Sequence, residues 1–176
     1  MKAGEERLAW ALEVCQRIQL RMTPLRRAIL SFLATRRMPA SLDMIEQAEG
    51  VQGHCDATTV YRTLMMFKEA ELVRLVGTPH KVSHFVLNVP GESNHFLICQ
   101  RCGQMGELPA LEALTSLDRQ VVEEKGYSAV YHELEVYGTC PSCRGNSPAD
   151  PTAPKYGQHG MTVKIGIKAM NLKRRC

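Results

Sequence analysis

No apolar run in the 176 residues approaches the roughly 18 to 20 needed to span a bilayer. The opening Met1-Lys2-Ala3-Gly4-Glu5-Glu6 lacks the basic-then-apolar order of a secretory leader, so a cytoplasmic protein is expected. No internal repeat occurs beyond a duplicated Cys-x-x-Cys, which leaves a repeat architecture without support. What is present suits a globular chain: 44% hydrophobic and 23% charged residues can bury a core, and the length holds one ordinary domain or two small ones. Seven cysteines in a reducing compartment point to metal ligation or thiol chemistry rather than a disulfide scaffold.

The formal charge of +4 hides three unlike segments. Residues 1–90 carry 12 Lys and Arg against 9 Asp and Glu, residues 91–143 carry 3 against 8, and residues 144–176 carry 7 against 1. A polyanion, if one binds, is held by the first segment rather than the second, and the basic tail adds sequence-independent affinity for phosphate.

Apolar spacing predicts an amphipathic helix over 5–20. Thr23 caps a second helix with Pro24 in its first turn, and that helix stops before Pro39. A short third helix starts at Ser41 and closes at Gly50, and Asp56 caps a fourth over 57–70 with Val60, Leu64 and Phe67 inward. Alternating β-branched runs at 72–76 and 82–89, joined by Gly77-Thr78-Pro79-His80, read as a hairpin. Helices followed by a hairpin match a winged helix-turn-helix, with a generic helical bundle as the rival. After a turn-rich linker at 90–94 comes a second unit: strands at 95–99 and 104–108, a helix over 111–125 ended by Gly126, and a strand at 129–137. The fold class is therefore α+β: a winged-helix domain over 1–90, a small α/β domain over 91–143 and a mostly disordered basic tail over 144–176. In the tail, 161–167 has strand character but no evident pairing partner. About fifty residues bury little core, so the second unit needs a staple, a dimer partner or both.

Cys99-x-x-Cys102 and Cys140-x-x-Cys143 supply that staple. Two thiolates in a tight knuckle grip one ion, and two knuckles complete a closed tetrahedral site. With no open position, such a zinc is structural rather than catalytic. Redox-active thiol pairs are the alternative, but the expected βαβ context is missing. On the fourth helix, Thr58, Thr59, Tyr61, Arg62 and Thr63 form a polar face suited to phosphate contact and base-edge reading in a major groove, although a solvated helix face has a similar composition.

Four motifs together resemble the ferric uptake regulator (Fur) superfamily: Arg21-x-Thr23-Pro24-x-Arg26, Ala57-Thr58-Thr59-Val60-Tyr61-Arg62-Thr63-Leu64, Phe96-Leu97-Ile98-Cys99-x-x-Cys102-Gly103 and Tyr137-Gly138-x-Cys140-x-x-Cys143. The resemblance covers about residues 5–143. It implies a cytosolic, homodimeric, metal-responsive repressor of operator DNA, with the second unit as the dimerisation domain and the four cysteines on zinc. It also implies Tyr61 and Arg62 on the recognition helix and Arg21 on the DNA backbone or minor groove.

The chain departs from the family where the sensory metal is usually held. Histidines expected near Asn94 and at Phe96 and Met38 are absent. His95, Glu107 and His132 match family ligand positions, and His84 and Glu92 flank the linker. Imidazoles with a carboxylate suit Zn, Fe or Mn. Such an ion, bound between the domains, would favour the arrangement spaced for a two-fold operator. A hydrogen-bonded core histidine remains open for His132, and surface polarity for His84. Cys55, beside the Asp56 cap, is either an activated thiol or a buried turn cysteine; Cys15 and Cys176 have no visible role. A constitutive regulator and a zinc-stapled adaptor without DNA binding also remain open. A zinc deaminase does not, because Pro141 follows Cys140 and Leu134 stands at the glutamate position.

Overall fold

The computed structural model describes residues 2–53, 55–77, 82–92, 94–128 and 132–144, and the backbone of 162–167. The chain divides into two units, Met1–Glu92 and Ser93–Cys176.

The first unit is α1 (Lys2–Arg17), α2 (Pro24–Ala34), β1 (Ala40–Ser41), α3 (Leu42–Glu46), α4 (Ala57–Glu69), β2 (Val73–Val76) and β3 (His84–Leu87). Three helices start on the capping side chains foreseen. Thr23 accepts from the Arg26 N–H, Ser41 from Met44, and Asp56 Oδ1 from the Thr59 N–H at 2.7 Å. Their ends differ from expectation. α1 stops at Arg17 because Gln19 adopts φ 56°, with the Leu20 N–H on Cys15 O at 2.8 Å and the Gln19 N–H on Gln16 O at 3.0 Å. This is a Schellman closure without glycine. α4 ends the same way at Glu71, φ 58°. α3 is a single turn capped by Gln47, not Gly50; Gly50 (φ 77°) lies in the next turn, where a Cβ would stand 3.2 Å from the Ala28 side chain.

β1 pairs with β3, giving a three-stranded sheet of order β1-β3-β2 instead of a bare hairpin. Val73, Leu75, Phe85 and Leu87 pack on a core built from Ala11, Cys15, Ile29, Leu30, Leu33, Ile45, Val60, Leu64 and Phe67. Residues of the opposite sheet face, Arg74, Val76 and Val86, are buried too, so the alternation expected of the strands does not appear in exposure. Arg7 of α1 is also buried. Its Nη1 donates to Ala34 O at 2.8 Å and Arg36 O at 2.5 Å, and its Nε lies 3.2 Å from Glu92 Oε1, tying α1 to the end of α2 and to the last residue of the unit.

The second unit is β4 (His95–Cys99), β5 (Met105–Glu107), α5 (Glu112–Lys125), β6 (His132–Gly138), α6 (Pro141–Arg144) and β7 (Thr162–Ile167). Its sheet has the order β5-β4-β6-β7. β4 and β6 run parallel with Cys99 opposite Gly138, the crossover being α5, which Gly126 (φ 68°) closes. The strand character read at 161–167 in the tail is realised at 162–167, with the pairing partner that the sequence did not show. These residues form β7, antiparallel to β6 from Tyr137↔Thr162 to His132↔Ile167. The rest of the tail from 145, Cys176 included, lies outside the described residues, as do most of the turn expected at 77–80 and the start of the strand expected at 129–137. Among the described residues no helix is long and apolar enough to cross a membrane.

Candidate metal centre and nucleic-acid interface

β4 delivers Cys99, the parallel partner β6 returns the chain beside it at Gly138, and Cys140 follows just before α6 and Cys143 within it. Gly103 (φ 74°) turns the first knuckle, its N–H bonding Cys99 O at 2.9 Å. The four sulfurs lie within 4.8 Å of one another, the one such cluster of potential ligands among the described residues. Cys102 Sγ and Cys140 Sγ are 3.7 Å apart, close to the edge of about 3.8 Å of a tetrahedron with Zn–S bonds of about 2.3 Å. Arg101 Nη1 donates to Cys143 O at 2.8 Å and fastens one knuckle to the other.

The thiols of this cluster differ sharply in acidity. Burial raises Cys99, but backbone N–H groups of Cys102, Cys140 and Arg101 outweigh it and bring the thiol down to about 6. Hydrogen bonding to Cys140 and Cys102 pushes Cys143 up to about 12. Four thiol donors at this spacing fit zinc in both donor chemistry and geometry.

The remaining imidazoles fall into two places. His84 begins β3 in the first unit, Nδ1 3.0 Å from Val82 O. In the second unit His95, 2% exposed, and His132 sit on the same face of β4 and β6, ring centroids 4.9 Å apart. His132 Nδ1 lies 2.6 Å from Asp118 Oδ2 of α5. Asp118 carried no motif in the sequence; only the crossover packing reveals it. Glu107 pairs in register with Phe96, which places it on the opposite sheet face from His95. Phe96, where the resemblance would put a histidine, is core at 1% exposure.

On α4, Thr58, Thr59, Tyr61 and Arg62 are exposed, Tyr61 at 41%. Thr63 does not share their face. It is buried and its hydroxyl donates to Thr59 O at 2.9 Å, so the expected polar stripe is one residue narrower. Arg21 is exposed, its carbonyl accepting from Arg26 Nη1. Cys55 is half-buried and its thiol is raised by burial and then by Asp56 and Glu46, the reverse of activation. Cys15 is a core residue at 2% exposure.

A model of the ferric uptake regulator family matches residues 17–137. The peroxide operon regulator of Bacillus subtilis is 30% identical over 136 residues, 76% of this chain and 90% of that one. The peroxide-responsive repressor PerR of Staphylococcus epidermidis is 28% identical over 129 residues, 71% and 82% of the two chains. Among solved structures, the ferric uptake regulator of Francisella tularensis with iron aligns at TM-score 0.54 and 27% identity over 71% of this chain and 95% of that one.

Proposed function

The chain belongs to the ferric uptake regulator family, and from that premise we propose that it is a homodimeric, metal-responsive transcriptional repressor that reads a two-fold operator in duplex DNA from the cytoplasm. The observation that carries the reading is α4. It starts on a firm Asp56 cap, buries Val60, Leu64 and Phe67, and presents Thr58, Thr59, Tyr61 and Arg62 outward on a winged-helix frame. Hydroxyls and an arginine on one helix face suit phosphate positioning and base-edge contact, with Arg21 adding a backbone or minor-groove contact. Dimerisation is supported by α5, which buries none of its residues and leaves Leu117 and Val122 38% and 45% exposed.

Cys99, Cys102, Cys140 and Cys143 would hold the structural zinc, which supplies a doubly positive centre tying together the chain ends of β4 and β6. A closed four-thiolate site has no place for substrate, so the protein is a regulator and not an enzyme. A second divalent ion, Zn, Fe or Mn, would draw on His95 and His132; Glu107, on the opposite sheet face, is not placed to join them. Asp118 Oδ2 stands 2.6 Å from His132 Nδ1, the place of the outer carboxylate that orients a metal-binding histidine, with Nε2 as the ligating atom.

A second reading, a constitutive regulator whose sensory site is lost, is favoured by Phe96 in the core and Glu107 on the opposite sheet face. One experiment separates the two. The purified dimer is titrated onto an inverted-repeat duplex after chelation that spares the cysteine site, then with Zn, Fe or Mn restored singly. Rescue by one metal supports the sensor; equally tight binding throughout supports the constitutive form; no shift in any state leaves a zinc-stapled adaptor.

A further inference from the structure

α2 and α4 both start on a capping side chain, but in opposite electrostatic surroundings. The cap of α2 is the neutral Thr23, with Arg21 just before it and Arg26 and Arg27 in the first turn; Arg21 and Arg27 are exposed, and Arg26 Nη1 donates to Arg21 O. Guanidinium charge and the positive end of the helix add there, as on a phosphate-facing surface. α4 starts on an anion. Asp56 is exposed, its Oδ1 accepts from the Thr59 N–H at 2.7 Å, and the Thr59 hydroxyl donates to the same carboxylate. The first turn, Ala57 to Val60, brings no cation, and Arg62 follows only in the second. Glu46 of α3 is a second carboxylate nearby: burial first, then Asp56 and Glu46, raise the thiol of Cys55 beside the cap.

A carboxylate at this place offsets the attraction of the helix start for phosphate. It also has acceptor sites to spare, since its two oxygens take about four hydrogen bonds and Thr59 uses two. An ionised carboxylate accepts and cannot donate. Of the base edges in a major groove it therefore suits the cytosine N4 amino group: guanine shows two acceptors there, thymine an acceptor and a methyl, and the adenine amino group has the N7 acceptor beside it.

We infer that Asp56 is a specificity-determining residue of α4, accepting from a cytosine amino group in each half-site and turning phosphate away from the start of the helix. This rests on the repressor reading and deepens it, by giving a base to a residue that otherwise only caps. Thr58, Tyr61 and Arg62 remain exposed on the same helix for the donor contacts.

The test uses the full zinc-loaded chain and the variants Asp56→Ser and Asp56→Asn. Both replacements keep an oxygen for the Thr59 N–H, so the cap stays and the charge goes. Thermal unfolding at neutral pH, expected to shift by no more than about 2 °C, checks this; where one replacement loosens the cap, the other decides. Each chain selects duplexes from random sequence, and each is titrated between about 50 and 200 mM salt onto the wild-type selection and onto a scrambled duplex. In the variants, affinity for the scrambled duplex is expected to rise about threefold or more at low salt, with a log–log salt slope steeper by up to about 0.9, as for one more phosphate neutralised. The ratio between selected and scrambled duplex should fall at least about fivefold, and the sites the variants select should lose a cytosine at one position of each half-site. An unchanged ratio overturns the inference, and so does a lost preference for any other base. Wild-type discrimination that survives intact in both variants sinks Asp56 alone; a wild type that binds both duplexes equally sinks the repressor reading and the inference with it.

Discussion

At Gln19 the chain ends a helix in a conformation that costs an L-residue about 1 kcal/mol or more. Its φ of 56° is held by two Schellman hydrogen bonds and its side chain is exposed. Gln19→Gly relieves that strain and gives part of the gain back as unfolded-chain entropy, leaving an expected stabilisation of about 0.5 kcal/mol. Thermal unfolding checks it, and a loss of stability would show that the side chain matters to the native state. Asp56 supplies a pH-dependent counterpart. Hydrogen bonds from Thr59 hold its carboxyl below the ordinary carboxylate value. A group depressed in the folded state stabilises fully above its unfolded pKa of about 3.9, and that stability disappears as pH falls through the lower folded value. Asp56→Asn keeps an acceptor for the cap but cannot titrate. The variant is therefore expected to show a flatter acid limb below about pH 4 in melting temperature against pH, with little change at neutrality.

Helix starts in this chain were legible because Thr23, Ser41 and Asp56 are cap-forming residues in cap positions. Helix ends in the first unit were not, because Gln19 and Glu71 do the work usually given to glycine, while Gly50, which looked like a cap, serves a later turn; in the second unit Gly126 closes α5 as the sequence suggested. Strand β1 escaped notice at two residues long, and β7 was legible as a strand but not in its pairing, which depends on register with β6. The cysteine site was legible from spacing alone; Asp118 was not, since nothing in sequence shows that its turn of α5 meets His132. α5 carries the element-scale prediction. An amphipathic helix that buries no residue within its own chain has its apolar face unspent. Leu117→Asp with Val122→Lys puts two charges into that face, and sedimentation at micromolar concentration is expected to shift from dimer to monomer. Operator affinity should fall at least tenfold, while the melting of the first unit stays within about 0.5 kcal/mol of wild type. A variant that remains dimeric would move the interface elsewhere.

The two units bury unequal cores, and that inequality fixes how the molecule should respond to losing zinc. Seventeen buried residues from α1 to β3 form one cluster in the first unit, whereas the buried apolar side chains of the second, among the described residues, are Phe96, Ile98, Cys99 and Leu134. A unit with so small a core cannot offset the entropy of ordering its backbone through apolar burial alone. Zinc on four thiolates contributes on the order of 10 kcal/mol to folding, more than the whole stability of many small domains. Stripping it with a strong chelator, or replacing Cys140 with Ser, is therefore expected to unfold the second unit and leave the first folded. Calorimetry should show the winged-helix transition persisting near its original temperature while the other vanishes. Acid should act in the same direction, because protons compete with the metal for thiolate sulfur. On the repressor reading, DNA binding would fail as well, since the exposed face of α5 would no longer be presented for dimerisation and a single α4 would make half the contacts of a two-fold site. A metal-free protein that keeps two transitions at unchanged temperatures would show that the second unit is held by its partner subunit rather than by the metal; Leu117→Asp with Val122→Lys, added to the metal-free chain, would then collapse it.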